Sequence, residues 1–272
     1  MFNANPALVA RIAHHIERVM VVDPFPGSAK LQADMMRRLG AMDVEIVDRS
    51  KKAFELADSF NPQIIMTEYG GPNIDGPLFT KRLRRSTYHC RQAPVIIVTS
   101  EATELSIKTS RDSGAHEFLK KPFAAQDLMR RVENVCLKPR PWIEAVHYVG
   151  PCRRRFNNGM YHGPKKRKTD AGSAAEATYA GQVDQAMRIV KSAVTQWGDD
   201  PNQAARALRT QMQALSAIAV GSGDPHLTYV TRALIGQVEG AISRGARPTM
   251  PAQSFFDEVA KSAEALDRKK AA

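Results

Sequence analysis

The chain has 272 residues, of which 43% are apolar and 25% charged, and this composition suits a soluble globular protein of one large or two ordinary domains. Its three cysteines form no CxxC pair and no apolar run approaches the about 20 residues that span a bilayer, so we expect a cytoplasmic protein without disulfides, metal, cofactor or membrane span. The net charge of +11 favours an acidic or phosphate-bearing partner.

After a helical segment at 1–18, short β-rich apolar runs alternate with amphipathic helical stretches up to about residue 137. This alternation is typical of βα units that form a parallel sheet. The predicted strands are VMVV at 19–22, VEIV at 44–47, QIIMT at 63–67, PVIIVT at 94–99 and HEFLK at 116–120. The pattern therefore predicts a five-stranded doubly wound α/β domain at 19–137, with its functional residues at the carboxyl ends of the strands.

Residues 138–173 are rich in proline and glycine turns, and we interpret them as a basic linker. Between residues 138 and 168 there are nine basic residues and one acid, Glu144, which gives +8. The linker repeats one element, since Tyr148-Val-Gly-Pro-Cys is followed thirteen residues later by Tyr161-His-Gly-Pro-Lys. A cluster of cations follows each copy, comprising Arg153, Arg154, Arg155, Lys165, Lys166, Arg167 and Lys168.

This repeat has two interpretations. Its arginines offer bidentate hydrogen bonds to phosphate and its tyrosines could stack on bases, which indicates a nucleic-acid or nucleotide-binding regulator. The other interpretation is a solvated basic segment that lies on a neighbouring domain, and no fold that reads bases accompanies the repeat.

From about Ala174 to residue 272, four helical segments each carry an apolar face. Asp200-Pro201 and Asp224-Pro225 each place an N-cap residue before a proline, which fixes two helix starts. Short connections make neighbouring helices antiparallel. We therefore predict an all-α helical bundle that docks on a partner or forms a homodimer.

The segment from about Val19 to Leu137 resembles the CheY-like receiver domains of bacterial two-component response regulators. Four motifs in order carry the resemblance, namely VMVVDPFP, IIMTEYGGPNIDG, VIIVTSEA and GAHEFLKKPF. The resemblance implies a flavodoxin-like parallel sheet and a role in phosphorelay signal transduction. It also implies a phosphoacceptor aspartate after the third strand and a divalent cation held by two adjacent acids after the first strand.

The sequence departs from that pattern at the chemistry itself. The acceptor position is Glu68, eight residues before Gly76 of the Asp75-Gly76 pair. Its side chain is one methylene longer than that of aspartate, which displaces the carboxylate, and about 1 Å of misplacement can cost on the order of 100-fold in rate. The two cation-binding positions are Asp23 and Pro24, and proline offers no carboxylate oxygen to a hard cation. These residues predict a degenerate phosphoacceptor site and a protein that is not an enzyme.

Other parts of the receiver apparatus are retained. The resemblance assigns Thr99 as the switch hydroxyl, Lys121 as the phosphate-contacting lysine and Phe118 as the switch aromatic. Glu68 can form a fixed ion pair with Lys121 that partly imitates an acyl phosphate, or it can be a relic without signalling value. The resemblance also indicates a partner face on the fourth helix, fifth strand and fifth helix of the receiver, around Phe118, Lys120 and Arg131.

Two function classes follow. The first is a pseudo-receiver that acts as a phosphorylation-independent signalling adaptor through a sensor kinase or another regulator. The second is a nucleic-acid or nucleotide-binding regulator that uses the basic repeat. A working phosphoacceptor would need an acid at position 24 and an aspartate at position 68.

Overall fold

The computed structural model describes residues 6–153 and 179–271. These fall into two compact units, one containing residues up to 143 together with 148–153, the other containing 144–147 and the C-terminal helices. In the first unit five parallel strands form a sheet in which residues 43–47, 18–22, 64–68, 95–99 and 117–120 lie side by side in that order. Helices alternate with these strands, so the predicted five-stranded parallel α/β fold, followed by a helical region, is confirmed.

The five strands of the main sheet lie within one residue of their predicted bounds. The elements of residues 6–151 follow in chain order. They are α1 Pro6–Ala13, β1 Arg18–Val22, α2 Pro26–Arg38, β2 Asp43–Val47, α3 Ser50–Phe60, β3 Ile64–Glu68, β4 Gly70–Gly71, β5 Ile74–Asp75, α4 Gly76–Arg85, a 3₁₀ turn His89–Gln92, β6 Val95–Thr99, α5 Glu104–Asp112, β7 Glu117–Lys120, α6 Ala125–Leu137, β8 Trp142–Glu144 and β9 Val149–Pro151.

The three central strands are apolar on both faces because helices cover the sheet on each side. Side chains on one face, such as Val21 and Met66, pack with α2 and α6, while those on the other, such as Ile65 and Ile97, pack with α3 and α4. Both clusters are formed by fully buried residues. The sheet therefore holds the carboxyl ends of β1, β3, β6 and β7 side by side.

The N-terminal segment, predicted as separate at 1–18, groups with the receiver unit over its described residues. Ile12 and Ile16, four residues apart, are fully buried in the same cluster as Met36 and Leu39. Ile12 lies in the last turn of α1 and Ile16 in the segment between α1 and β1, and both join a core formed by residues further along the chain.

The interpretation of residues 138–173 as a linker is wrong for its first part. Residues 142–144 and 149–151 form a two-stranded sheet, and Tyr148 is buried. The Tyr148 hydroxyl donates to Pro151 O at 2.6 Å. Gly150 has φ +154, and a Cβ there would lie 2.7 Å from the Cα of Gly114. Gly150 therefore allows two backbone segments to approach closely. Composition alone does not distinguish such a glycine from one in a flexible turn.

Arg84 anchors this region from the C-terminal end of α4. Its side chain is fully buried and donates to Gly114 O at 3.0 Å, Arg91 O at 2.7 Å and Ala93 O at 2.9 Å. Its remaining nitrogen lies 3.2 Å from Nδ1 of His116. Burial lowers the pKa of Arg84 to about 9. These residues lie at the amino ends of β6 and β7, the opposite end of the sheet from the predicted site.

The second unit contains the helices α7 Tyr179–Thr195, α8 Pro201–Ser222, α9 Pro225–Ser243 and α10 Gln253–Ala271. Helix α8 packs against the other three, and α7 packs against α10. Asp200 accepts from Gln203 N and Asp224 accepts from His226 N and Leu227 N, as the N-cap pattern predicts. None of the helices within the described ranges has the length and apolarity that crossing a bilayer requires.

Candidate functional site

The predicted site residues come together at the carboxyl end of the sheet. Asp23 follows β1, Glu68 ends β3, Thr99 ends β6 and Lys121 follows β7. Neighbouring parallel strands all end at the same edge of the sheet. Four residues that are far apart in the sequence therefore lie close together here. Asp23 and Glu68 are almost completely buried, with 2% and 5% of their surface exposed.

Asp23 is saturated with protein donors. Its Oδ1 accepts from Phe25 N at 2.9 Å. Its Oδ2 accepts from Ser28 Oγ at 2.6 Å, from Gln32 Nε2 at 2.8 Å and from Lys121 Nζ at 2.9 Å. Ser28 and Gln32 lie one turn apart on α2, where Gln32 also donates to Ser28 Oγ at 3.1 Å. The carboxylate is therefore held by four donors from this chain.

Lys121 bridges the two buried acids. Its ammonium donates to Asp23 and forms an ion pair with Oε2 of Glu68. Burial by itself lowers the pKa of Lys121, but the hydrogen bonds to Glu68 and Asp23 outweigh it, so the pKa is raised. Burial raises the pKa of Glu68, and the nearby charge of Asp23 adds to this, while Lys121 opposes it. Lys121 is therefore a fixed ammonium between two carboxylates.

The start of α4 closes the site on the side of β3. Asp75 caps the helix by accepting from Leu78 N at 2.8 Å. A Cβ at Gly76 would collide with the carbonyl oxygen of Glu68, and Gly76 N donates to Tyr69 O at 2.9 Å. The Asp75-Gly76 pair therefore serves the local fold, because only glycine permits this approach to the backbone of Glu68.

The residues present do not fit the divalent cation that receivers use. A hard cation needs free oxygens, but both oxygens of Asp23 already accept from protein donors. Pro24 occupies the second position that would supply a carboxylate.

The predicted switch residues are not drawn toward Glu68. The Thr99 hydroxyl accepts from Glu101 N at 3.1 Å and donates to Glu101 O at 3.3 Å. Its hydrogen bonds therefore stay within the loop that follows β6. Phe118 is half-buried and packs against the cluster that contains Ile97. Glu68 thus pairs with Lys121, as the predicted mimic of an acyl phosphate would, but the hydroxyl of Thr99 bonds to Glu101 instead.

The predicted partner face is partly charged. Lys120 is exposed at the end of β7. Arg131 of α6 forms an ion pair at 3.1 Å with Glu117, whose side chain is only 3% exposed. Arg131 is therefore tied to the sheet, whereas Lys120 points to solvent.

The described part of the basic repeat is engaged within the chain. Arg153 forms an ion pair at 2.7 Å with Asp112 and stacks over the Tyr148 ring at 4.2 Å from its centroid. Because Tyr148 is buried, its predicted role in base stacking is wrong. Tyr161 and the cations Arg154, Arg155, Lys165, Lys166, Arg167 and Lys168 lie outside the described residues.

Sequence reasoning missed Ser28 and Gln32. Gln32 is 2% exposed and shares the buried side of α2 with Ala29, Ala33 and Met36. A polar residue on an otherwise apolar helix face, four residues after a serine and nine after Asp23, is the signal that could have identified them.

Comparison with known proteins agrees with the geometry. Residues 19–133 match the response regulator receiver domain family. The chemotaxis protein CheY of Pseudomonas aeruginosa is 25% identical over 118 residues, which cover 43% of this chain and 94% of that protein. The two-component response regulator ORR7 of Oryza sativa subsp. japonica is 32% identical over 113 residues, 41% of this chain and 53% of that protein.

A solved structure of a Vibrio cholerae chemotaxis protein, CheY4, aligns over 44% of this chain and 98% of its own, with 21% identity and a TM-score of 0.41. Each of these matches covers less than half of this chain. The family match and the site geometry lie in one half of the chain, and that half alone is characterised by them.

Proposed function

Residues 19–133 are a CheY-like response regulator receiver domain, and from this we propose that the chain is an atypical response regulator that acts as a signalling adaptor without being phosphorylated. Its partners would be a sensor kinase or another signalling protein, and it would catalyse no reaction itself. The observation that carries the proposal is the closed network in which Lys121 holds Asp23 and Glu68.

The network opposes phosphotransfer at two steps. Phosphoryl transfer depends on positioning and on charge neutralisation of the transferring oxygens by a metal ion. Here the one acid left at the cation position, Asp23, is saturated by Phe25 N, Ser28, Gln32 and Lys121. The acceptor carboxylate is on a longer side chain and is already paired with an ammonium.

The same network favours one fixed conformation. A receiver switches when a new group at the acceptor position recruits its threonine and aromatic residues, so a site that cannot change its charge cannot shift that equilibrium. In this chain Thr99 is bonded to Glu101 and Phe118 is packed against the core. We therefore infer that the face around Phe118, Lys120 and Arg131 is presented to a partner constitutively.

Phosphotransfer is the first test. The full chain and three variants, Glu68→Asp, Pro24→Asp and the double variant, are incubated with acetyl phosphate and Mg²⁺, and intact mass is measured. We expect no adduct on the wild type or on either single variant, because each lacks one required acid. The double variant, which returns both acids, is the matched control, and an adduct on it would show that the two missing acids are what prevents the transfer. A stoichiometric phosphoryl adduct on a receiver acid of the wild type contradicts the proposal.

Partner binding is the second arm. A protein captured by the full chain should bind with the same affinity before and after treatment with acetyl phosphate. Lys120→Glu should weaken this binding, while Met42→Asp, at an 83% exposed position before β2, should not. An affinity that rises after the treatment would mean that the receiver is regulated by phosphorylation after all.

A further inference from the structure

A groove between α4 and α5 is separate from the Asp23 and Glu68 network. It has a volume of about 610 Å³ and opens on the surface of the receiver unit. Side chains on one side of α4 and on one side of α5 form its walls, and the segment that follows β3 forms one of its ends. The residues that carry the following argument are Tyr69, Leu78, Lys81, Leu105 and Lys108.

The two walls present the same pair of residues. Leu78 is followed by Lys81 on α4, and Leu105 is followed by Lys108 on α5, in each case three residues later. Residues three apart on a helix lie on one face, one above the other. Because α4 and α5 each follow a strand of one parallel sheet, both leucines lie near the β3 and β6 carboxyl ends, and both lysines lie one turn further along.

The leucines are unusually exposed for their size. Leu105 is 72% exposed and Leu78 is 52% exposed. Single exposed apolar residues are normal, but two large ones that line one concave surface mark a binding site more often than a solvated surface. Covering them would remove apolar area from water at roughly 25 cal/mol per Å².

The charges in the groove are asymmetric. Its two carboxylates are already used, since Asp75 caps α4 and Asp112 pairs with Arg111 and Arg153. Those two arginines lower the pKa of Asp112, although burial opposes them. Lys81 and Lys108 are exposed and neither forms an ion pair or side-chain hydrogen bond with another described residue. The two lysines are therefore the charged side chains of the groove that are left to pair with a partner.

We propose that this groove binds an acidic amphipathic helix of a partner protein, with apolar residues on Leu78 and Leu105 and carboxylates one turn away on Lys81 and Lys108. A helix fits because its side chains recur at i, i+3, i+4 and i+7, which matches the one-turn separation of the leucine and lysine pairs. Two exposed leucines beside the cations favour a protein helix over a phosphate backbone. This proposal rests on the adaptor role and names where a partner binds.

The test uses the full chain and a labelled synthetic helix with two leucines and, one turn further along the same face, two glutamates. A second peptide replaces the glutamates by lysines. In fluorescence anisotropy at low salt, the glutamate peptide should bind and the lysine peptide should not. Leu105→Asp and the pair Lys81→Glu with Lys108→Glu should each weaken binding by roughly tenfold or more, and the charge reversal should allow the lysine peptide to bind.

The variants are chosen to keep the fold. Leu78→Asp and Leu105→Asp each place an acid in the first turn of a helix, where the helix dipole favours it. Met42→Asp is the matched control and should bind the glutamate peptide like the wild type. Circular dichroism should show equal helix content for all variants.

Three results would overturn the groove proposal. They are failure of the glutamate peptide to bind, equal binding of the lysine peptide to the wild type, and binding that Leu105→Asp leaves unchanged. An oligonucleotide that binds through Lys81 and Lys108 but is insensitive to Leu105→Asp would assign the lysines to nucleic acid and also overturn it. None of these titrations measures phosphotransfer, so the adaptor proposal stands or falls separately in the acetyl phosphate experiment.

Discussion

Two cations, the half-buried Lys121 and the fully buried Arg84, lie at opposite ends of the same sheet, and the chain stabilises them differently. At the carboxyl end of the strands, Lys121 lies between the carboxylates of Asp23 and Glu68. At the amino end, Arg84 is fully buried among the carbonyl oxygens of Gly114, Arg91 and Ala93 and the ring of His116. Two carboxylates balance the charge of Lys121, whereas carbonyl dipoles and an imidazole ring surround Arg84.

The pKa shifts follow this difference. Hydrogen bonds to two carboxylates more than offset the burial of Lys121, so its pKa rises. Among the described residues no carboxylate pairs with Arg84, and burial lowers its pKa to about 9. A titratable pair can be rearranged by protonation or by a substituted acid, whereas a network of backbone carbonyls cannot. The ion pairs of Lys121 can therefore respond to a change in pH or to a substitution, whereas the hydrogen bonds of Arg84 hold their part of the structure in one arrangement.

Replacing Arg84 should have the largest effect. Arg84→Ala leaves three carbonyl groups without their donor and a cavity in place of a long side chain, so we expect a loss of about 3 to 5 kcal/mol in unfolding free energy. Urea unfolding followed by the fluorescence of Trp142, whose ring lies 5.4 Å from the Arg84 guanidinium, reports on this region in a Trp197→Phe background.

The comparison variant is Lys121→Met. It should cost less, since Glu68 can take up a proton and Asp23 keeps three other donors. Without Lys121 the raised pKa of Glu68 rises further, so the folded variant regains stability as the pH falls through that pKa and the difference from the wild type narrows. The Arg84→Ala deficit should show no such recovery. Equal costs with equal pH dependence would remove the contrast between the two ends.

The next largest effect is expected at Gly150. Gly150→Ala places a Cβ 2.7 Å from the Cα of Gly114 at a backbone φ of +154, so either the strand β9 or the loop before β7 must move. We expect a loss of about 2 kcal/mol or more in unfolding free energy.

The control for this prediction is Gly27→Ala in the first turn of α2, where an added Cβ meets nothing within 4 Å. This variant should be neutral or slightly stabilising, because alanine restricts the unfolded chain. If Gly150→Ala unfolds at the same urea concentration as Gly27→Ala, the amino end of the sheet is less tightly packed than the distances indicate.

The smallest effect is expected for Tyr148→Phe. This change removes the hydroxyl that donates to Pro151 O, at a cost of about 1 kcal/mol near neutral pH. Burial raises the pKa of Tyr148 to about 12, so the fold favours the neutral phenol. That stability is complete below about pH 10, the pKa of an unfolded tyrosine, and is lost as the pH rises toward the folded value.

The wild type should therefore lose its advantage over Tyr148→Phe between neutral and strongly alkaline pH, as measured by urea unfolding at both. A constant difference would show that Tyr148 ionises without cost and is in contact with water. The raised pKa of Lys121 adds stability that is likewise lost above the unfolded lysine value of about 10.4. Lys121 is the same in both proteins, so the difference between wild type and Tyr148→Phe isolates the contribution of the tyrosine.

Much of the receiver could be predicted because its signals are local. Apolar runs bounded by turns predicted five strands, each found within one residue of its expected position. The proline and N-cap pattern at Asp200 and Asp224 predicted two helix starts in the same way. The limits of the N-terminal and linker segments were less accurate, because Ile16 packs in the cluster of Met36 and Leu39, and Gly150 lies against Gly114, both distant in the chain.

Within the site, the sequence by itself determined that Asp23, Glu68 and Lys121 would lie at one end of the sheet, because parallel strands bring their carboxyl ends together. It also determined that Pro24 could not ligate a cation. Only the tertiary structure decided that Ser28 and Gln32 donate to Asp23 and that Thr99 bonds to Glu101 instead of Glu68. It also decided that Arg84 donates to backbone carbonyls at the other end of the sheet. The physical reason is that hydrogen-bond partners depend on distances across helices and loops, which neither periodicity nor spacing along the chain specifies.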